Sequence, residues 1–336
     1  MSLLIVVASL LTACERGRFN DDLTKVYGLP DKSSEYHDLI KRAPESLSQD
    51  ELYSRVLTLW ETPYRELKLP TSNGTTHIIV SGPADGETLV LLHGMNADST
   101  MWYPNVKALS ASHRVYAIDD ILGPGKSKPN HDTDSLEFVI SWYFEVFDAL
   151  KLEKINLVGA SQGGWIATNL ALAKPEKINK LILLSPAQTL TWLDPSVDII
   201  SNLIYAFNPQ REGLRNNLAT LSSNVDGIQQ MYIDQFFRTI STADTSPLLM
   251  DMQPFNDEQL STLTMPVLFL AGDNDLFNGQ DSVDRAIKII PCIQAEIIQG
   301  SGHFISVDQA KVVNRKIEDF VATKQNLKMS ECKNTI

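Results

Sequence analysis

Positive charge is scarce in this sequence. Its 29 Lys and Arg stand against 41 Asp and Glu, for a formal net charge of −12. Such a chain is a poor partner for nucleic acid, whose phosphates are neutralised by Lys and Arg. Nor does it carry a polybasic patch for anionic lipid. Cysteine is scarcer still, with three in the chain. Neither these nor the six histidines fall at spacings that hold a metal, and nothing points to a cofactor. Long apolar runs are absent too, and none approaches the ~20 residues of a membrane-spanning helix. There are no internal repeats and no low-complexity tract. What remains is 336 residues with an ordinary apolar fraction of 43%. That suits one large α/β domain with an insertion, or two domains.

The first 14 residues differ from the rest. Leu3 to Leu11 is uncharged and apolar, and ends in Thr12-Ala13-Cys14. A helix of that length reaches only ~14 Å, too short to span a bilayer. It fits the apolar part of a secretory signal. Leu11-Thr12-Ala13-Cys14 resembles the lipobox of bacterial lipoproteins, in which cleavage precedes the cysteine and lipid is added to it. No Lys or Arg precedes the apolar run, which departs from that pattern. The expectation is an exported protein anchored to the cell membrane by lipid on Cys14, touching the membrane through that anchor only. The alternative is a cytoplasmic protein with an uncleaved apolar tail. Cys292 and Cys332 could pair in an exported protein, although sequence alone does not establish the geometry.

The most informative stretch is Gly159-Ala160-Ser161-Gln162-Gly163. The apolar run Ile155–Val158 before it reads as a buried strand, and Gly164–Leu172 after it as a helix. A serine between two glycines at a strand-to-helix turn is a nucleophile elbow. The helix N-terminus beside it favours negative charge. Other short apolar strands are expected at 89–92, 114–118, 181–185, 267–271 and 295–298. Helices are expected at about 100–110, from about 134, near 283–289 and at about 309–322. This alternation implies a mostly parallel, doubly wound sheet. Asn73-Gly74 between two strand-like runs predicts a hairpin. Ser48 with Glu51 reads as a capping box opening a helix in an N-terminal extension. The alternation breaks over residues 188–262, which read as helical and aromatic-rich.

A serine hydroxyl needs a base. His37, His77, His113 and His131 lie in ordinary positions, and His93 reads as structural. His303 stands apart: Gly300-Ser301-Gly302-His303 follows the last strand, on the edge where an open parallel sheet binds its ligands. The base in turn needs a carboxylate, and Gly272-Asp273-Asn274-Asp275 at the end of the preceding strand offers two. Backbone N–H groups for an oxyanion are expected from Gln162, after the nucleophile, and Met95, in the loop His93–Asn96.

These motifs resemble those of the α/β-hydrolase superfamily, in its bacterial carboxylesterase branch, over about residues 60–322. The likeness rests on His93-Gly94, Asp120-x-x-Gly123-x-Gly125-x-Ser127, Gly159-x-Ser161-x-Gly163-Gly164, Gly272-x-x-Asp275 and Gly302-His303, in family order. It implies an α/β-hydrolase fold and a triad of Ser161, Asp275 and His303, with Asp275 rather than Asp273 as the acid. It also implies a helical cap over residues 188–262. The domain reading is 1–14 signal and lipobox, 15–60 tether and helical extension, 61–187 with 263–325 as core, 188–262 as cap, and 326–336 as polar tail. The function implied is hydrolysis of a small-molecule carboxylic ester through an acyl-enzyme. Thioesters, lactones, amides and acyl transfer stay open, as does a ligand-binding or sensory lipoprotein on the same fold. Trp165 and the cap aromatics Trp192, Tyr205, Phe207, Phe236 and Phe237 hint at an apolar acyl pocket, or else pack the cap on the sheet.

Overall fold

The computed structural model describes residues 34–131, 134–193, 195–242 and 246–323. Cys14, the tether before Ser34 and the polar tail with Cys332 lie outside them. Cys292 is disulfide-bonded, and the other two cysteines are not among the described residues.

Nine strands form one sheet. They are β1 (Tyr64–Thr71), β2 (Gly74–Ser81), β3 (Glu87–Leu92), β4 (His113–Ile118), β5 (Lys128–Pro129), β6 (Ile155–Ala160), β7 (Ile178–Leu184), β8 (Val267–Gly272) and β9 (Ile293–Ile298). Their order is β1-β2-β4-β3-β6-β7-β8-β9, with β5 paired to β2. The β1–β2 hairpin and the β2–β4 pair are antiparallel. From β4 across to β9 every pairing is parallel. The longer helices are α1 (Ser34–Lys41), α2 (Gln49–Leu57), α3 (Leu136–Ala149), α4 (Gln162–Ala173), α5 (Val197–Phe207), α6 (Arg211–Leu221), α7 (Gln230–Thr242), α8 (Gln280–Ile289) and α9 (Ala310–Ala322).

The central parallel strands β3, β6, β7 and β8 are mostly apolar and buried because both faces of the sheet are covered there, whereas the edge strand β9 alternates. Successive side chains point to opposite faces, so Leu157 and Val158 of β6 enter different cores. Leu157 joins Val90, Leu181 and Phe269 under Trp142 and Phe147 of α3 and Leu170 of α4. Val158 joins Leu89, Leu91 and Ile182 under Trp102 and Ile317 and Phe320 of α9. The start of α3 is fixed by Ser135, whose side chain accepts the Phe138 N–H.

The helix expected over 100–110 is broken. Ser99–Trp102 forms a 3-10 turn and Val106–Leu109 a single α turn, since Pro104 between them has no N–H to continue the ladder.

Between β7 and β8 the described chain contains helices and no strand; α5, α6 and α7 belong to this insertion. The capping box forms at Ser48 and Glu51. The helix it opens, α2, lies between the sheet and the insertion. Tyr53, Val56 and Leu57 of α2 join the second core, while the Gln49 amide donates to Thr239 on α7. Arg238 on α7 donates back to the carbonyls of Leu47 and Pro44. The extension therefore holds the insertion as well as the main domain.

Candidate active site

The turn from β6 to α4 is tight. Ser161 has φ 52° and ψ −120°, a left-handed setting that costs a non-glycine residue ~1–3 kcal/mol. Glycine is required on both sides of it. A Cβ on Gly159 would lie 2.2 Å from the Gly163 carbonyl oxygen, and one on Gly163 would lie 2.5 Å from the Leu92 and His93 oxygens. The strained turn is held from outside: the Ser161 N–H donates to Leu184 O on β7, and its carbonyl accepts from Gly164 N and Ala187 N. Ser161 is the N-cap of α4, yet its hydroxyl makes no capping bond.

That hydroxyl meets His303 instead, with Oγ 2.8 Å from Nε2. The ring's other nitrogen, Nδ1, lies 2.9 Å from Asp275 Oδ1. With the proton on Nδ1 donated to Asp275, Nε2 is an acceptor for the serine O–H. Ser161, Asp275 and His303 follow the C-terminal ends of β6, β8 and β9, and the parallel sheet brings all three to one edge. Phe277 packs on the imidazole with ring centroids 4.2 Å apart.

Asp275 is buried, which works against its charge. The neighbouring His303, the Phe277 N–H at 3.0 Å and the Asn278 amide at 3.0 Å outweigh burial and hold its carboxyl below the usual range. Asp273 takes another place. It is exposed, and its Oδ1 accepts the Ser301 N–H at 2.9 Å, tying the β8 loop to the loop that carries His303.

Met95 and Gln162 flank the serine. Met95 lines a cavity of about 240 Å³ together with Ser161, His303, Tyr205, Phe236 and Leu249. Gln162 and Met95 both line a second cavity, of about 460 Å³, against the loop Asp120–Pro124. His93 Nδ1 meets Gly94 O and its Nε2 accepts the Asp120 N–H, so both ring nitrogens are engaged and the ring ties two loops together. Among the described residues no group of His, Cys, Asp and Glu could hold a metal ion.

The family model described as alpha/beta hydrolase fold matches residues 87–229. Carboxylesterase YbfK of Bacillus subtilis (strain 168) is 31% identical over 278 residues, covering 80% of this chain and 92% of that protein. The chain belongs to the α/β-hydrolase family. Its fold is close to that of two solved Bacillus subtilis structures. Naproxen esterase (carboxylesterase NP) has a TM-score of 0.75 at 28% identity, over 87% of this chain and 100% of that one. Carboxylesterase CesB (YbfK) has a TM-score of 0.75 at 29% identity, over 82% of this chain and 98% of that one.

The aromatics of this α/β-hydrolase divide. Tyr205 and Phe236 line the smaller cavity. Trp165 is buried against Phe255 and donates to Gln253 O, and Phe237 lies under Arg211. Trp192 is exposed and lines neither of these cavities. The side chain of Phe207 is outside those described. Three groups near the serine carry no signal in the sequence. Phe277 N–H and Asn278 serve Asp275, and Gln162 donates through its amide to Ser246 Oγ at 2.8 Å, pinning the insertion to the elbow. No local pattern announces Ser246, which lies 84 residues away.

Proposed function

We propose that the carboxylic ester hydrolysis this chain shares with its carboxylesterase relatives runs through an acyl-enzyme on Ser161. The reading is carried by the unbroken hydrogen-bonded path from Asp275 through His303 to the serine hydroxyl. Ser161 Oγ attacks the ester carbonyl while His303 Nε2 takes its proton. Asp275 keeps the Nδ1 tautomer and steadies the imidazolium. The carbonyl oxygen, now an anion, receives the N–H groups of Met95 and Gln162 at the start of α4. His303 returns the proton to the departing alcohol. Water, deprotonated by the same ring, then attacks the acyl-enzyme and releases the acid, restoring Ser161. The two cavities meeting at Gly94–Asn96 supply room for the two substituents of the ester. Labelling by a fluorophosphonate at Ser161, abolished in Ser161→Ala, tests this. Labelling or turnover that survives the substitution overturns it.

We also propose that the enzyme is exported and held at the cell membrane by lipid on Cys14. The support is the apolar run ending in Leu11-Thr12-Ala13-Cys14. Cell fractionation decides the matter. The wild type is expected with the membranes and Cys14→Ser with the soluble or mislocalised protein. Wild-type protein that is soluble and begins at Met1 refutes the anchor.

A further inference from the structure

Among the described residues, Ile40, Ile287 and Val312 are exposed by about two fifths at separate places on the surface, and the most exposed large apolar side chains fall together. Those exposed by half or more are Trp192 at 65%, Val197 at 80%, Ile200 at 50%, Ile204 at 66% and Met250 at 91%. All five lie in the insertion between β7 and β8. Val197, Ile200 and Ile204 are spaced i, i+3, i+7 along α5, one stripe on one face of the helix. The same segments look inward as well: Leu193, Asn202, Tyr205 and Leu249 line the cavity that holds Ser161 and His303. The insertion is thus a thin wall, with the ester cavity on one side and an unpartnered apolar face on the other.

Residues 1–33 lie outside the described residues, and the described part begins at α1. Its neighbour α2 packs on α7 of this same insertion. A chain leaving Ser34 therefore starts beside the insertion, and residues 15–33 reach at most about 65 Å when extended. An anchor at Cys14 keeps this part of the molecule near the bilayer. The charge of the face selects the kind of lipid. No Lys or Arg occurs between Lys180 and Arg211, the stretch that carries four of the five, whereas Asp198 lies in the first turn of α5, on a chain of net charge −12. That stretch offers no cation to anionic head groups, which favours apolar insertion into an uncharged interface.

We infer that Trp192, Val197, Ile200, Ile204 and Met250 dock the insertion onto a zwitterionic lipid surface, and that the cavity behind it takes lipophilic esters held in that surface. This is a second membrane contact, in addition to the anchor. It rests on the esterase reading for the substrate and on the tether only for reach.

The test uses the full chain carrying Cys14→Ser, so that acylation plays no part and failure of the anchor stays separate. Five tryptophans are present, and Trp60, Trp102, Trp142 and Trp165 are each at most 2% exposed. Quenching by brominated phosphatidylcholine vesicles therefore reads Trp192. Strong quenching, insensitive to salt and lost in Trp192→Phe, is expected. The combined variant Val197→Ser, Ile200→Ser, Ile204→Ser is expected to weaken vesicle partition roughly a hundredfold. It should cut turnover of a long-chain ester embedded in vesicles and leave p-nitrophenyl acetate turnover and the melting temperature unchanged. Any one of three results overturns the inference. They are no quenching of Trp192, a triple variant that keeps both partition and quenching, or a dimer that buries Trp192 and shuns vesicles. Loss of activity on every ester in the parent strikes the esterase reading instead.

Discussion

Asp275 approaches the His303 ring from inside the protein, its side chain fully shielded from water. Asp273, two residues earlier, stands in solvent and clasps the backbone of Ser301. The first position meets the His303 ring and the second holds a turn, so substitution separates them. Asp275→Asn is expected to lower kcat about 10⁴-fold by leaving His303 in the wrong tautomer. Asp273→Asn is expected to cost about tenfold or less in kcat and to act on the melting temperature instead. Steady-state kinetics on both variants, with melting curves, checks this, and the reverse ranking moves the acid to Asp273. The choice is legible in the sequence because a residue directly after the strand-ending Gly272 stays near the strand, whereas residue 275 can bend toward the last loop. The Asn278 amide on Asp275 is not legible. It reaches back within its own turn, and many side chains at that spacing do not.

At the scale of elements, the β1–β2 hairpin is fastened to the end of β4 by a buried charge cluster. His77 of β2 lies 2.9 Å from Asp119 Oδ2 and 2.8 Å from Glu66 Oε2 on β1. Tyr53 of α2 and the Ser99 and Lys126 N–H groups also bind Asp119, and the Lys126 ammonium binds Glu66. Burial pulls the His77 pKa down, but the two carboxylates outweigh it and raise it to about 9. Glu66 is correspondingly lowered to about 2. An unfolded histidine gives up its proton near 6.5, so between about pH 6.5 and about pH 9 the native state holds a proton that the unfolded chain has lost. The stability from this cluster is complete below that window and falls as pH rises through it, by up to about 1.4 kcal/mol per pH unit. Urea unfolding at about pH 6 and about pH 9 is expected to show this loss in the wild type and a flatter dependence in His77→Gln. Equal slopes would remove His77 as the cause. In the sequence His77 is an ordinary strand residue. Its partners lie 11 and 42 positions away, and only the strand order unites them. Pairing was readable where chemistry is local, as at Asn73-Gly74 and Ser48–Glu51. It was unreadable where the sheet supplies the neighbour.

Taken whole, the molecule is a parallel sheet whose C-terminal edge gathers residues as far apart as Ser161 and His303, 142 positions in sequence. The fold is legible because short apolar runs alternate with amphipathic ones, and a chain with that pattern has few ways to bury both faces of its sheet. The serine and histidine are legible because each follows a strand at a glycine-rich turn. The insertion is legible only as helices. Which of its aromatics face inward depends on how it settles over the sheet, and so Trp192 turns out exposed. Ester hydrolysis through Ser161 requires a covalent intermediate at one atom. Purified protein mixed with a p-nitrophenyl ester, quenched in acid within the first turnover and mapped by peptide mass, measures it directly. The expected result is a burst of one p-nitrophenol per chain with the acyl group on the peptide at Ser161, and loss of both in Ser161→Ala with roughly a 10⁶-fold fall in kcat. Ester turnover with no acyl group at Ser161, or turnover that persists in Ser161→Ala, would contradict it.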